Sequence, residues 1–330
     1  RYRLEPVEAP ELIAANPRPP VPATVGGALR VATFNVHNLF TTLGDRGARS
    51  ADQRALQRAK LVSALVALDA DAIALQEVEN DGMRSEAALV TALNARLGGP
   101  VYAAVPDPPS GVGGDRIKQA LLYRRATLEL LSSASDPRPV FERAPVAATF
   151  RDREGGVFTL VAVHFKAKSG CPAAGDVDRG FGCWNLRRSA QAQAVLDLVA
   201  HLQRRAGDPD VLVAGDLNSY AAEPPLRLLA AAGFVDAAHV LPAAERYSYV
   251  YAGRSGTLDY LLANPSLAPQ LTGTSIWHID ADESPLVGAF ATAHPSVPAD
   301  PAPYRASDHD PVLVGLTLAN EAAASDAPRR

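Results

Sequence analysis

The sequence predicts an α/β fold: a four-layered sandwich in which two packed mixed β-sheets are flanked by helices. Three observations carry that expectation. Apolar, β-rich segments alternate with amphipathic helical stretches over residues 29–97. The segments QALLYR, ATLELL, PVAATF and VFTLVAVHF then follow one another with no long helix between them. Further strands and helices alternate again towards the C-terminus, so the sheets are mixed and the fold is not a simple Rossmann domain.

In order along the chain, LRVATFNV (29–36) is apolar and reads as a buried strand. Ser50 and Gln53 have capping-box spacing and open a helix in which Leu61, Leu65 and Leu68 share a face. DAIALQEV (71–78) is a second buried strand, and SEAALVTALNARL (85–97) a helix that stops at Gly98 and Gly99. After the four consecutive strand-like segments, Leu186 to Arg204 forms a long helix and DVLVAGDLN (210–218) a strand. A short helix starts at Pro224 and Pro225, where a missing amide costs nothing. GTLDYLLAN (256–264) and PVLVGLTL (311–318) are the last strands. Residues 1–27 contain NPRPPVPATVGG and read as a proline-rich linker, a tether rather than a packed element. Residues 28–319 form one domain without repeats, and 320–330 a flexible tail.

Composition excludes several classes of function. The chain has 330 residues, 47% of them hydrophobic and 21% charged, an ordinary globular balance. At this length about three-quarters of the unfolded surface can be buried without help from metals or disulfides. No apolar run approaches the roughly 18 residues of a membrane span. The net charge of −4 excludes an indiscriminate polycation, so contact with nucleic acid requires a local basic patch. Two cysteines are too few for a disulfide scaffold or a four-cysteine zinc site. Cys171 and Cys183 stand 12 positions apart in the glycine-rich CPAAGDVDRGFGC, which can fold back to pair them; the alternative is two reduced thiols in a cytosolic enzyme. The pairing favours a secreted or periplasmic location. The first residue is Arg1 rather than Met, as expected of a processed chain or one whose targeting segment has been removed, so the compartment is read from the cysteines and not from the start of the chain.

The functional signal is polar residues at the ends of apolar strands. Asn35, Glu77, His164, Asp216 with Asn218, Asp259, and Asp308 with His309 all stand there. Any one of them alone reads as a solvated turn or a capped strand end. Together they converge on a crevice, because strand ends on one side of a sheet share it. Carboxylates and an amide suit a hard cation, Mg²⁺ or Mn²⁺. HExxH and CxxC spacings are absent, as are the phosphate-cradling GxxxxGK[ST] loop and the GxSxG elbow. Hydrolysis of a phosphate ester by metal-activated water fits this set best.

The blocks RVATFNVHNLF, IALQEVEN, VAVHFKAKSG, VLVAGDLNSY, GTLDYLLAN and YRASDHDPVL resemble, in order, the motifs of the endonuclease/exonuclease/phosphatase superfamily, from about residue 29 to 318. GDLN followed by SDHDPV is the specific part. The loop from Cys171 to Val195 and the block WHIDADE look like those of secreted bacterial nucleases, which commonly carry an accessory domain before a proline-rich linker. The resemblance implies that Asn35 and Glu77 hold the principal Mg²⁺, with Mn²⁺ or Ca²⁺ as substitutes and Asp308 close by. It places Asp216 and Asn218 beside the scissile phosphate, where they orient the attacking water or hold a second cation. It pairs His309 with Asp259 and sets His164 on the other side of the phosphate, as in pancreatic-type deoxyribonucleases. Those enzymes carry a glutamate partner for that histidine where this sequence has Gln119, and a neutral amide raises the His164 pKa less.

The implied activity is that of a secreted, monomeric DNA endonuclease without strong sequence specificity, with RNA as a further substrate. Around the core, Lys166, Lys168, Arg179, Arg187 and Arg188 outnumber Asp176 and Asp178 within 164–190. Lys166, Lys168, Arg187 and Arg188 are the expected phosphate-backbone contacts, against the alternative of a solvated helix start. Trp184 and Trp277 read as packing residues rather than base-stacking ones. A lipid phosphodiesterase or a phosphatase of the same superfamily is the alternative activity. A catalytically inactive binding module would lack core motif positions, and every one is filled.

Overall fold

The computed structural model describes residues 7–8, 18–291 and 299–319. β1 (Leu29–Leu39) and β2 (Ala72–Glu79) flank the helix α1 (Ala51–Leu68), and α2 (Arg84–Leu97) leads to the short β3 (Tyr102–Ala104). β4 (Ile117–Arg124), β5 (Leu128–Ser135), β6 (Val146–Asp152) and β7 (Val157–His164) follow with no helix between them, as expected. α3 (Asn185–Ala206) precedes β8 (Val211–Asp216), and α4 (Pro224–Ala231) precedes β9 (Val235–Asp236). A small hairpin, β10 (Tyr249–Tyr251) and β11 (Arg254–Gly256), comes before β12 (Asp259–Ala263), β13 (Leu271–Ile276) and β14 (Val312–Leu316).

The strands form two six-stranded sheets, ordered β13-β14-β1-β2-β4-β3 and β5-β6-β7-β8-β12-β9. Each is mixed: β1 and β2 are parallel, as are β7 and β8, and the remaining pairings are antiparallel. Alternation along each strand then builds the layers. Val31, Ala74 and Leu121 of the first sheet meet Phe150, Ala162, Ala214 and Leu261 of the second in a central core. Their neighbours Ala32, Phe34, Ile73 and Leu75 face outwards, onto Leu61, Leu65 and Leu68 of α1 and Leu89 and Leu93 of α2. Val161, Val163 and Val213 do the same for α3 and α4 through Val195, Leu198, Leu202 and Leu229. The result is the expected helix–sheet–sheet–helix sandwich.

Local chemistry sets the helix ends. Ser50 Oγ accepts from the Gln53 amide at 3.2 Å, but the Gln53 side chain reaches back to the Arg49 amide at 2.9 Å instead of Ser50, so the capping box is shifted by one residue. Gly98 ends α2 at φ 77°, a left-handed conformation that favours glycine.

One expectation changes at the N-terminus. Residues 18–27, the part of the proline-rich run within the described residues, lie against the domain instead of hanging free. The Pro19 carbonyl accepts from Trp277 Nε1 at 2.9 Å, Val25 is buried, and Thr272 Oγ1 donates to the Val25 carbonyl at 2.9 Å. Residues 1–6, 9–17 and 320–330 lie outside the described residues.

Candidate active site

Backbone register brings half of the site together. Across the parallel β7–β8 pair His164 is the partner of Asp216, and across the antiparallel β8–β12 pair Asp216 is the partner of Asp259. Register partners share a face of the sheet, so all three side chains project to the same side. The strands can lie this close because residue 215 is glycine: a Cβ there would sit 1.9 Å from the Val163 carbonyl oxygen.

The first sheet supplies the other half by breaking its own regularity. The β1–β2 register shifts after Asn35 and the β2–β4 register after Leu75. Glu77 takes φ 65°, an unusual backbone for a residue with a side chain, and such bulges re-aim side chains at strand ends. The Glu77 carboxylate is held by the Asn38 amide at 3.0 Å and by Asn35 Nδ2 at 3.3 Å. Asn35 Nδ2 also reaches Asp216 Oδ2 at 3.2 Å, joining the two sheets through one buried side chain.

The two histidines differ in charge state. His309 Nδ1 lies 2.7 Å from Asp259 Oδ2. Burial alone would strip its proton, but the Asp259 charge and hydrogen bond, with Asp216 and Asp308 nearby, outweigh that and hold its pKa well above the ordinary value. His164 is buried with no carboxylate hydrogen-bonded to its Nδ1. Desolvation, reinforced by the positive charge of Arg143, drives its pKa well below the ordinary value, so it is neutral. Gln119 is buried beside Arg143: its Nε2 donates to the Arg143 carbonyl at 3.4 Å, and its Oε1 has no hydrogen-bond partner among the described residues. His164 Nδ1 has none either.

Asp216 Oδ2 stands between the rings, 3.5 Å from His164 Nε2 and 3.9 Å from His309 Nε2. Burial pushes its carboxyl up to about 7, against the opposing charge of His309. Burial would also raise Asp308, but His309, His37 and Arg305 together hold it below the ordinary carboxylate value. The Asn218 amide donates to Asp216 Oδ1 at 2.8 Å, and its side chain to the Phe165 carbonyl at 3.2 Å. Glu77, His164, Asp216, Asn218, Asp308 and His309 all line one cleft of about 440 Å³, with Asn35 and Asp259 buried behind it. Every core residue the sequence singled out is gathered here.

Two groups of carboxylates are candidates for a cation. Asp216, Asp259 and His309 bring ligand atoms within 4.8 Å of one another. His309 Nδ1 and Asp259 Oδ2 are already committed to each other there, and a protonated imidazole repels a metal. Glu77 and Asp308 are the better set, and Asn35 would join them through Oδ1, which here accepts from the His37 amide at 3.1 Å, rather than through the Nδ2 that faces Glu77. They are hard oxygen donors, and among the described residues neither carboxylate has a lysine or arginine within salt-bridge distance.

The basic residues are placed differently from expectation. Arg188 is fully buried and donates to the carbonyls of Lys166, Phe181 and Cys183 and to Ser219 Oγ, at 2.7 to 3.2 Å. It fastens the loop to α3 and offers nothing to solvent. Arg187 is tied to the Pro139 carbonyl at 2.6 Å and Glu142 at 3.2 Å. Lys168 lines the cleft but is paired with Glu223 at 2.6 Å, and Lys166 Nζ sits 5.2 Å from the centre of the Trp184 ring. Cys171 and Cys183 form a disulfide and line the same cleft. Trp277 is buried, and Trp184 Nε1 donates to the Gly170 carbonyl at 3.0 Å, so both pack as expected.

Sequence reasoning missed Ser248, Ser307, Arg143 and the tyrosines of the hairpin. Ser248 Oγ donates to Asp259 Oδ2 at 2.7 Å, and Ser307 Oγ to the Asn35 carbonyl at 2.6 Å. Arg143 clamps the end of β7 through the His164 and Phe165 carbonyls at 3.3 and 2.5 Å. Tyr249 lies with its ring centroid 4.5 Å from that of His309. Only Ser307 carried a signal, standing directly before Asp308 in SDHDP.

A family model described as Endonuclease/Exonuclease/phosphatase family matches residues 32–309. The chain belongs to that family. Solved structures agree on the fold of this family member. A Bacteroides vulgatus endonuclease/exonuclease/phosphatase protein superposes with TM-score 0.59 at 18% identity, over 88% of this chain and 99% of that one. The catalytic domain of human Nocturnin gives 0.57 at 18% identity, over 88% and 94%. D. rerio TDP2, in complex with a single-strand DNA product, gives 0.55 at 17% identity, over 87% and 97%. Comparison with curated protein sequences finds no match. Among the described residues no helix is long and apolar enough to cross a membrane.

Proposed function

We propose that this family member is a divalent-metal-dependent phosphodiesterase, a secreted endonuclease that hydrolyses DNA without strong sequence preference. The observation that supports this reading most is the position of Asp216 Oδ2 between a cationic and a neutral histidine, in a cleft that Glu77 and Asp308 also line. Asn35, Glu77 and Asp308 would hold the cation, Mg²⁺ or in its place Mn²⁺ or Ca²⁺. A bound divalent cation polarises a phosphoryl oxygen and stabilises the charge that develops on it.

The side chains do the rest of the work. Asp216, with a carboxyl pushed up to about 7, accepts a proton from the attacking water at neutral pH. As the water oxygen bonds to phosphorus and the ester P–O bond breaks, His309 Nε2 gives its proton to the leaving oxygen. Asp259 and Ser248 keep the imidazole oriented throughout. Neutral His164 hydrogen-bonds the phosphate from the opposite side, and Asn218 orients the water. The disulfide supports export, since such bonds persist in oxidising compartments.

The test is an incubation of covalently closed circular DNA with Mg²⁺, with and without EDTA. Nicking that chelation abolishes supports the reading. Degradation of free ends alone makes the enzyme an exonuclease, and hydrolysis of sphingomyelin vesicles without DNA cleavage makes it a lipid phosphodiesterase.

A further inference from the structure

The walls of the cleft carry a recognition element that the hydrolytic machinery does not use. Tyr220, Tyr249 and Tyr251 all line it, together with Leu258. Tyr249 rests on the His309 ring, and the Tyr220 ring packs on β11 so closely that a Cβ at Gly256 would lie 2.5 Å from it. Tyr251 stands at the end of β10, where Ala252 and Gly253 turn the hairpin at φ 51° and 79°, and 68% of it is exposed. The Tyr251 ring, left open on the wall of the cleft that holds the catalytic histidines, is apolar area for which nothing among the described residues supplies a cover.

The charges of the cleft point the same way. Lys168 is neutralised by Glu223, and Glu77, Asp178, Asp216 and Asp308 leave the walls acidic. Arg187 and Arg188 are consumed by internal partners. A polyanion finds few free cations on these walls, whereas the face of a neutral π-system finds the open ring of Tyr251, the faces of Tyr249 and Tyr220 being taken by His309 and Lys168. Cys171, Asp178, Gly182 and Cys183 of the disulfide loop also line the cleft, and its volume of about 440 Å³ is that of a small-ligand site.

We propose that Tyr251, backed by Tyr249 and Tyr220, stacks on a nucleobase adjoining the scissile phosphodiester, and that the preferred substrate is therefore an unpaired, base-bearing strand. This rests on the phosphodiesterase reading above and narrows its substrate. A base inside a duplex is stacked on both faces and presents neither to the tyrosine unless it is extruded. Stacking on aromatic side chains is tolerant of sequence, because every base has a π-face.

The experiment uses the full chain and a dinucleotide containing 2-aminopurine, whose fluorescence is quenched on stacking. Binding is followed with EDTA present, and turnover is measured separately with Mg²⁺ on thymidine dinucleotide and on its abasic analogue. Wild type should quench the probe, and Tyr251→Leu should bind it about tenfold or more weakly, while Tyr251→Phe keeps both quenching and affinity. The ratio of base-bearing to abasic turnover should fall towards one in Tyr251→Leu and hold in Tyr251→Phe. Turnover of dinucleotides without quenching, or quenching that Tyr251→Leu leaves intact, overturns the stacking site and leaves the phosphodiesterase reading standing. Quenching lost in Tyr251→Leu with no turnover of any phosphodiester upholds the stacking site and overturns the phosphodiesterase reading.

Discussion

Asp259 Oδ2 receives both His309 Nδ1 and the Ser248 hydroxyl, each at 2.7 Å. One oxygen thus holds the imidazole in its orientation and favours its charged form, and Ser248 fixes the carboxylate that does so. Asp259→Asn keeps the shape and removes the charge. It should lower kcat on a thymidine dinucleotide, whose alkoxide leaving group needs a proton, by about 10²–10⁴-fold with KM little changed, the loss expected when general acid catalysis fails. If kcat stays within about threefold of wild type, His309 is not the proton donor.

Glu77 holds an unusual backbone conformation and bonds only to Asn38 and Asn35 among the described residues. Glu77→Gln should remove most of the affinity for Mg²⁺ or Mn²⁺ in calorimetric titration and lower turnover about 100-fold or more, while circular dichroism stays unchanged. Excess cation should restore little. Undiminished cation binding would place the ion at Asp216 instead.

Arg188 is buried with four acceptors around its guanidinium. Arg188→Met should cost about 2–4 kcal/mol in urea unfolding, because the orphaned carbonyls lose charge-assisted bonds. The dependence of DNA affinity on salt should barely change, since a buried arginine releases no counterion; a clamp residue would flatten the slope by about 0.9. A flattened slope at unchanged stability would return Arg188 to the DNA surface.

Cys171 and Cys183 close a loop of separation 12. Replacing both with serine should remove about 3 kcal/mol in the chain-entropy treatment and expose the segment to proteolysis. Peptide mapping without reductant should recover the crosslinked pair from wild type. Two free thiols in protein exported to an oxidising compartment would argue against a secreted enzyme.

The central strands were legible because each is a continuous apolar run. Burial on both faces writes itself into the segment regardless of its neighbours, as in VLVAGD and VFTLVAVH. β3, β9, β10, β11 and β13 are short or weakly patterned, and pairing with a neighbouring strand decides them more than their own residues do. The core of the site was readable for the same reason that the strands were, since its residues stand where apolar runs stop. What failed was the basic loop. Arg187 and Arg188 at a helix start read as solvated or substrate-facing, and only the folded-back disulfide segment supplies the carbonyls that bury Arg188. The tyrosine hairpin was missed because three-residue strands carry no period long enough to detect.

Asn35 belongs to one sheet and Asp216 to the other, yet they touch at 3.2 Å. What separates the sheets elsewhere is a layer in which Ala72, Ala74, Ala148, Ala162 and Ala214 interleave with larger side chains such as Val31, Leu121, Phe150 and Leu261. Small and large side chains together act as a spacer that sets the distance between the two halves of the catalytic apparatus. Close-packed interiors do not absorb extra volume quietly. A larger side chain in that layer, far from any substrate, would pry the halves apart, so the reaction geometry is under the control of residues that never meet the phosphate.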